Sequence, residues 1–171
     1  MRGGYTRPMP KVIYPGSFDP PTYGHLNIIE RAARIFESVE VVISVNPRKK
    51  STFSPDERKA LLDDLVRGMG NVSIVVWDGL VVDYAKATGA QVIIRGVRAL
   101  GDFAHEFELA MLNKGLDPEV ETIFIPTDPQ YFVLRSSAIK EIVSFGGDIS
   151  SLVPSSVERA LRERLGEEGR R

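Results

Sequence analysis

Five strand-like runs alternating with helical stretches predict one doubly wound α/β domain, a five-stranded parallel sheet with right-handed crossovers followed by C-terminal helices. Three observations carry that expectation. The strand candidates are rich in β-branched residues, as in Val39-Glu40-Val41-Val42-Ile43-Ser44-Val45, which suits a sheet covered on both faces. Each is followed by apolar residues at helical spacing. The 171 residues suffice for one domain with a substantial core and show no internal repeat, low-complexity segment or second-domain boundary.

Residues 1–10 combine Pro, Gly and Arg without periodicity and read as a flexible N-terminal arm. The first strand is Lys11 to Tyr14. After a long Gly- and Pro-rich crossing comes the first helix, with Leu26, Ile29, Ala33 and Phe36 on one face. Strand two is Val39 to Val45 and ends in the basic loop Asn46-Pro47-Arg48-Lys49-Lys50. Ser54-Pro55-Asp56-Glu57 is a capping box with Pro at the first helical position, so a helix starts there and buries Leu61, Leu62 and Leu65. Strand three is Val72 to Trp77, and the third helix spans Leu80 to Thr88 and stops at Gly89. Strand four, Val92 to Ile94, runs into Arg95-Gly96-Val97-Arg98. A helix over 102–114 is expected to bury Phe103, Phe107, Ala110 and Met111 and to end at Gly115. Strand five is Thr122 to Ile125. A helix from Arg135 to Phe145 buries Ile139 and Ile142, and the last begins with the capping box Ser155-Ser156-Val157-Glu158, using Val157, Leu161 and Leu165 before a charged tail over 166–171.

Composition excludes several functions. There is no Cys, so disulfides, thiolate nucleophiles and Cys-based metal centres are absent, and a reducing cytoplasm is expected. With His25 and His105 as the two histidines, a His-rich metal site is out of reach. A net charge of −1 argues against a general nucleic-acid binder, and no run approaches the ~20 apolar residues of a membrane span. Any anion site must be local. In a doubly wound sheet, ligands sit beyond the carboxyl ends of the strands, near the switch in strand order. There the chain carries 16–25, the basic loop, Arg95 to Arg98 and the segment leading to Ser136-Ser137, four phosphate-compatible segments on one crevice. Neither G-x-x-x-x-G-K-[ST] nor a G-x-G-x-x-G after a strand occurs, so the phosphate site is built another way. The crossing that ends in His25 at a helix start provides unpaired N–H groups and partial positive charge for an anion.

Thr22-x-Gly24-His25 with a distant Ser-Ser opening another helix resembles the nucleotidyltransferase superfamily and its H/T-x-G-H motif. Tyr14-Pro-Gly-Ser-Phe-Asp-Pro20, Asn46-Pro-Arg-Lys-Lys50, Ile94-Arg-Gly-Val-Arg98, Asp102-Phe103 and Ser136-Ser137 with Lys140-Glu141 resemble, more narrowly, bacterial phosphopantetheine adenylyltransferases over residues 11–165. The resemblance implies a Rossmann-like nucleotidyltransferase fold, an adenylyltransferase domain over 11–165, and transfer of the adenylyl group of ATP to 4'-phosphopantetheine, giving dephospho-coenzyme A and pyrophosphate. A phosphate monoester is already a competent nucleophile, so no general base is needed; catalysis comes from alignment and charge stabilisation.

By the same resemblance His25, Lys49 and Ser17 are the catalytic set. Ser17, Phe18, His25, Gly96, Val97, Arg98 and Glu106 bind ATP, with Tyr131, Phe132, Val133, Leu134, Arg135, Ser136 and Ser137 completing its site. Ser17, Lys49, Val81 and Arg95 hold phosphopantetheine. Arg48 and Lys50 are assigned to a solvated basic loop and His105 to the surface. Arg135 stands where the family often has a hydroxyl residue, and it adds charge there or faces solvent. Mg²⁺ is expected with ATP; Asp19 is a distant ligand for it or a turn residue beside Pro20. The family also implies a homohexamer inhibited by coenzyme A. Two other readings compete. A sister nucleotidyltransferase acting on nicotinamide mononucleotide or a phosphorylated alcohol keeps His25 and Ser136 without needing Lys49, Arg95 and Arg98. A non-catalytic nucleotide-binding module keeps the helix-end anion site without needing His25 or Lys49.

Overall fold

The computed structural model describes residues 10–132 and 135–166. The arm over 1–9, the tail over 167–171, and Val133 and Leu134 lie outside the described residues. Five parallel strands, β1 (Val12–Gly16), β2 (Val39–Ser44), β3 (Val72–Trp77), β4 (Val92–Val97) and β5 (Glu121–Pro126), form one sheet in the order β3-β2-β1-β4-β5. The chain moves outward from β1 through β2 to β3, then returns to the other side of β1 for β4 and β5. The switch in order therefore lies between β1 and β4.

Those two strands separate as they approach it. β1 pairs with β2 through Gly16, but with β4 only at Val12 and Ile13. Pro15 gives a local reason. Val12 donates its N–H to Ser38 O on the β2 side, so by alternation along the strand the nitrogen of Pro15 faces β4, where it has no hydrogen to give. The ladder stops short of it, and a slot opens between the ends of β1 and β4. β1 and β4 both run further than the sequence reading has them, to Gly16 and Val97, which makes Arg95, Gly96 and Val97 strand residues.

Helices α1 (Tyr23–Ile35) and α2 (Pro55–Val66) cover one face, where Ile28, Ile29, Ala32, Leu62 and Val66 pack with Val12, Val41, Ile43 and Ile94. The buried stripe of α1 is thus Ile28, Ile29 and Ala32 rather than Leu26, Ile29 and Ala33. Helix α3 (Val81–Thr88) covers the other face, with Tyr84 and Ala85 against Ile13, Val42 and Ile93, and it ends at left-handed Gly89 as expected (φ 69°). A third cluster joins α5 (Ser136–Ser144) to α6 (Ser155–Leu165) through Ile139, Val143, Val157 and Leu161, with Phe53 between them. Leu61 and Leu65 of α2 lean on it, so α2 is shared by two clusters.

Two expectations are corrected. The capping box of α2 forms, but that of α6 does not: its N-cap is Pro154, Ser155 is already helical, and Glu158 pairs with Arg162 instead. Helix α4 (Leu100–Leu116) runs through Gly115. It buries Ala110, while Phe103, Phe107 and Met111 remain 40%, 46% and 52% exposed. Helical spacing reveals an apolar face without saying what covers it; α4 lies at the edge of the sheet, where Phe103 meets Phe124 of β5 edge-on while Phe107 and Met111 stay exposed. Among the described residues no helix is long and apolar enough to cross a membrane.

Candidate active site

A crevice of about 690 Å³ opens beyond the carboxyl ends of β1 and β4, over the slot between them. Its floor is the loop from Gly16 to the start of α1. Ser17 is exposed at the surface of this loop, whereas Phe18 is fully buried beneath it. Phe18 has φ +48°, unusual for a residue with a side chain. That backbone sends its ring downward, edge-on to Tyr14 at 5.4 Å and to His25 at 5.0 Å. A Cβ on Gly16 would stand 2.9 Å from the Phe18 ring, so a glycine is required there by packing. The Phe18 side chain is therefore not part of the crevice wall: its ring is spent on the loop's own packing, which leaves the backbone of residue 18 as the part that could meet a nucleotide. Buried Arg58 holds the loop from below, donating from Nη1 to Ser17 O at 2.7 Å. Asp19 is buried too and accepts from the N–H groups of Thr52 and Phe53 at 2.9 Å each, and from Lys140 Nζ at 3.0 Å. Burial opposes its ionisation, but these three donors together hold its carboxyl below the usual value. Asp19 is a structural junction, and its oxygens are committed.

His25 is the third residue of α1, and it completes a capping box. Thr22 Oγ1 accepts from His25 N at 3.4 Å, and the Thr22 N–H donates to His25 Nδ1 at 3.1 Å. A backbone N–H can only donate, so Nδ1 must be the unprotonated nitrogen, and the neutral ring carries its proton on Nε2. Capping and ligand binding are thus compatible in one histidine: one nitrogen does each. Burial, with the Arg98 guanidinium as the second cause, pushes the ring from 6.5 down to about 4. Between those values the unfolded chain binds a proton that the folded chain refuses, so this group lowers stability as pH falls from 6.5 towards 4. Imidazole nitrogen NMR is expected to show a neutral ring protonated at Nε2 from about pH 8 to about pH 5; a ring titrating near its ordinary value overturns this.

Cations arrive from three sides. In the loop after β2, Asn46 Oδ1 accepts from Arg48 N at 2.9 Å and Asn46 O accepts from Lys49 N at 3.0 Å, a turn that brings Lys49 into the crevice wall while Arg48 and Lys50 stay outside it. Arg95 lies 3.3 Å from Glu106, yet Arg95 Nε and Glu106 Oε2 are buried without a hydrogen bond among the described residues. Such a pair is poorly satisfied and can rearrange onto an anion. Asp102 receives Arg98 Nε at 2.9 Å on one oxygen and Arg135 Nη2 at 3.7 Å on the other. At the far wall α5 starts with no side-chain cap among the described residues, so its first N–H groups are open to a ligand. Ser136 Oγ is engaged, donating to Pro20 O at 3.1 Å.

Of the residues expected from sequence, Ser17, His25, Lys49, Val81, Arg95 and Gly96 line this one crevice, together with Arg98, Glu106, Arg135, Ser136 and Ser137. Val97, Tyr131 and Phe132 do not. The carbonyl of Val97 accepts from Thr127 N, Tyr131 stacks on Tyr23 at 6.4 Å, and the Phe132 side chain is exposed. His105, assigned to the surface, is exposed but stands in the crevice wall. The sequence reading missed Tyr14, Asn46 and Asp102 as wall residues and Arg58 as support. The Tyr14 phenol, pushed up by burial, stays protonated, and a Cβ on Gly96 would meet its oxygen at 3.3 Å. Asn46 had a usable signal, an Asn two residues before a run of three basic residues; Arg58 had none, because nothing local distinguishes a buried helix arginine.

The cytidylyltransferase-like family model matches residues 13–142. The phosphopantetheine adenylyltransferase of Carboxydothermus hydrogenoformans is 50% identical over 157 residues, 92% of this chain and 97% of that protein. That of Caldanaerobacter subterraneus subsp. tengcongensis is 48% identical over 153 residues, 90% of this chain and 96% of the relative. Among solved structures, a Vibrio parahaemolyticus protein assigned as a nicotinate-nucleotide adenylyltransferase superposes with a TM-score of 0.64 over 94% of both chains, at 21% identity, a likeness of fold alone.

Proposed function

The chain belongs to the phosphopantetheine adenylyltransferase family of the cytidylyltransferase-like nucleotidyltransferases, and from that premise we propose that its crevice joins the adenylyl group of ATP to 4'-phosphopantetheine. A phosphate oxygen of phosphopantetheine attacks the α-phosphorus, the bond from that phosphorus to the bridging oxygen breaks, and pyrophosphate leaves with dephospho-coenzyme A as the other product. The observation that carries this reading is the state of His25: neutral, with Nδ1 engaged and Nε2–H the remaining donor.

In this reading His25 donates to a non-bridging oxygen of the α-phosphate, where charge grows in the transition state, and the exposed Ser17 meets the same phosphate. Lys49 and Arg95 hold the phosphate of phosphopantetheine, with Val81 beside its arm. Arg98 and the open N–H groups of α5 hold the β- and γ-phosphates. Glu106 serves by releasing Arg95 to the ligand, a supporting role that its pairing favours. No side chain is asked to remove a proton. Mg²⁺ enters as the complex with ATP: the crevice carboxylates Asp102 and Glu106 are paired with arginines, and among the described residues no group of three or more acidic or histidine side chains could hold a metal ion. Bound so, it neutralises charge on the triphosphate. Coenzyme A, which carries both halves of the product, would compete for the same crevice. Cytoplasmic residence accords with a chain without Cys.

The uncovered face of α4, with Phe103, Phe107, Met111 and Leu112 exposed, supports self-association, and the family points to a homohexamer. Light scattering is expected to give an oligomer for the wild type and a smaller species for Phe107→Glu; a monomeric wild type overturns this. The function itself is tested by incubating the protein with Mg-ATP and one acceptor at a time. Pyrophosphate and dephospho-coenzyme A are expected with phosphopantetheine. Product with nicotinamide mononucleotide alone overturns the reading, as does ATP binding without turnover on either acceptor.

A further inference from the structure

Helix α5 presents its open N-terminus to the crevice, but its apolar face belongs to the third cluster with α6 and Phe53, and none of its residues is buried in the two clusters that clothe the sheet. Apolar packing therefore anchors α5 to α6 and not to β1, from which the opening loop leaves. Two polar contacts span that gap. Ser136 Oγ donates to Pro20 O at 3.1 Å, and Lys140 Nζ meets Asp19 Oδ2 at 3.0 Å. Residues 136 and 140 are one turn apart, so both contacts lie on the same side of α5. Asp19 is 7% exposed and also takes the N–H groups of Thr52 and Phe53, the segment that follows the Lys49 loop. One carboxylate thus gathers the loop that carries Ser17 and His25, the strand of chain leading into α2, and α5.

We propose that Lys140 is a positioning residue: through Asp19 it sets the distance between the N–H groups of α5 and the Ser17–His25 loop, and so aligns the leaving pyrophosphate with the α-phosphorus. This rests on the assignment of the α5 N-terminus to the β- and γ-phosphates. Lys140 itself touches neither substrate; its cation is occupied by Asp19. Removing it leaves Asp19 with two backbone donors, so the carboxylate stays hydrogen-bonded and the fold persists, while α5 loses a charge-assisted tie to the loop.

The test is Lys140→Met, which keeps most of the apolar stem. KM for ATP in the forward direction and KM for pyrophosphate in the reverse direction are each expected to rise roughly tenfold with a fall in kcat, while KM for phosphopantetheine stays unchanged. Lys140→Arg, still able to reach Asp19 with a cation, is expected to restore most of the loss. Lys140→Gln serves in its place if Lys140→Met does not fold. A variant that melts earlier but shows wild-type constants overturns the proposal, since Lys140 is then a staple and nothing more. Equal rises in KM for ATP and for phosphopantetheine also overturn it. Calorimetric binding of ATP reads the same effect without any acceptor, so a wild-type protein that binds ATP but fails to use phosphopantetheine counts against the assigned reaction and leaves the Lys140 measurement intact.

Discussion

His25→Ala is expected to lower kcat by about 10²–10³-fold, the loss seen when one donor to a developing oxyanion is removed, equivalent to ~2.7–4 kcal/mol. ATP affinity is expected to change far less. The reason lies in what each nitrogen does. Nδ1 accepts from Thr22 N–H, so its loss weakens one helix cap, an effect of ~1 kcal/mol on stability. Nε2–H faces charge that grows only as the α-phosphorus becomes five-coordinate, so its loss falls on the transition state. Steady-state kinetics together with ATP binding decide the matter. A loss of ATP affinity with kcat unchanged would assign His25 to ground-state binding alone.

Phe18→Ala is expected to have the largest effect on stability. The ring is fully buried, edge-on to both Tyr14 and His25, and directly under Gly16. Truncating such a side chain costs about 3–5 kcal/mol, a large part of the ~5–15 kcal/mol available to a domain. For a chain of this size the melting temperature should fall by roughly 6–20 °C. The left-handed backbone supplies an internal control. Phe18→Gly loses slightly more side chain but relieves φ +48°, so it should be at least as stable as Phe18→Ala. Glycine clearly below alanine in thermal melts would show that the backbone at 18 stores no strain. In the fraction still folded, kcat should fall as well, because the ring that braces His25 is gone.

Much of the fold is legible without coordinates. The runs at 39–45 and 72–77, the capping box at Ser54, and Gly89 as a helix stop all appear where the sequence places them, since each depends on residues within a few positions of one another. The site is legible to a similar depth: Lys49 is in the wall and Arg48 and Lys50 are not, as the solvated-loop reading of those two requires. Phe103, Phe107 and Met111 show the limit of periodicity. Their spacing announces an apolar face, and only the place of α4 at the sheet edge leaves it uncovered within one chain. The capping box proposed at Ser155 fails for a comparable reason: its pattern is present, but Glu158 has Arg162 one turn on and pairs with it.

The sequence by itself determined the alternation of strands and helices, the crossing that ends in His25, and the identity of most groups that meet a phosphate, because turn chemistry and helix starts are local. Tertiary structure decided what those groups are free to do. It turned the Phe18 ring down into the core, committed Asp19 to three donors, and occupied the Ser136 hydroxyl with Pro20. The partners of Asp19 and Ser136 lie 33 to 121 residues away in the chain and meet only in the folded protein. The physical reason is that a polar group's chemistry is set by which of its hydrogen-bonding positions remain open, and that is counted only once every neighbour is in place.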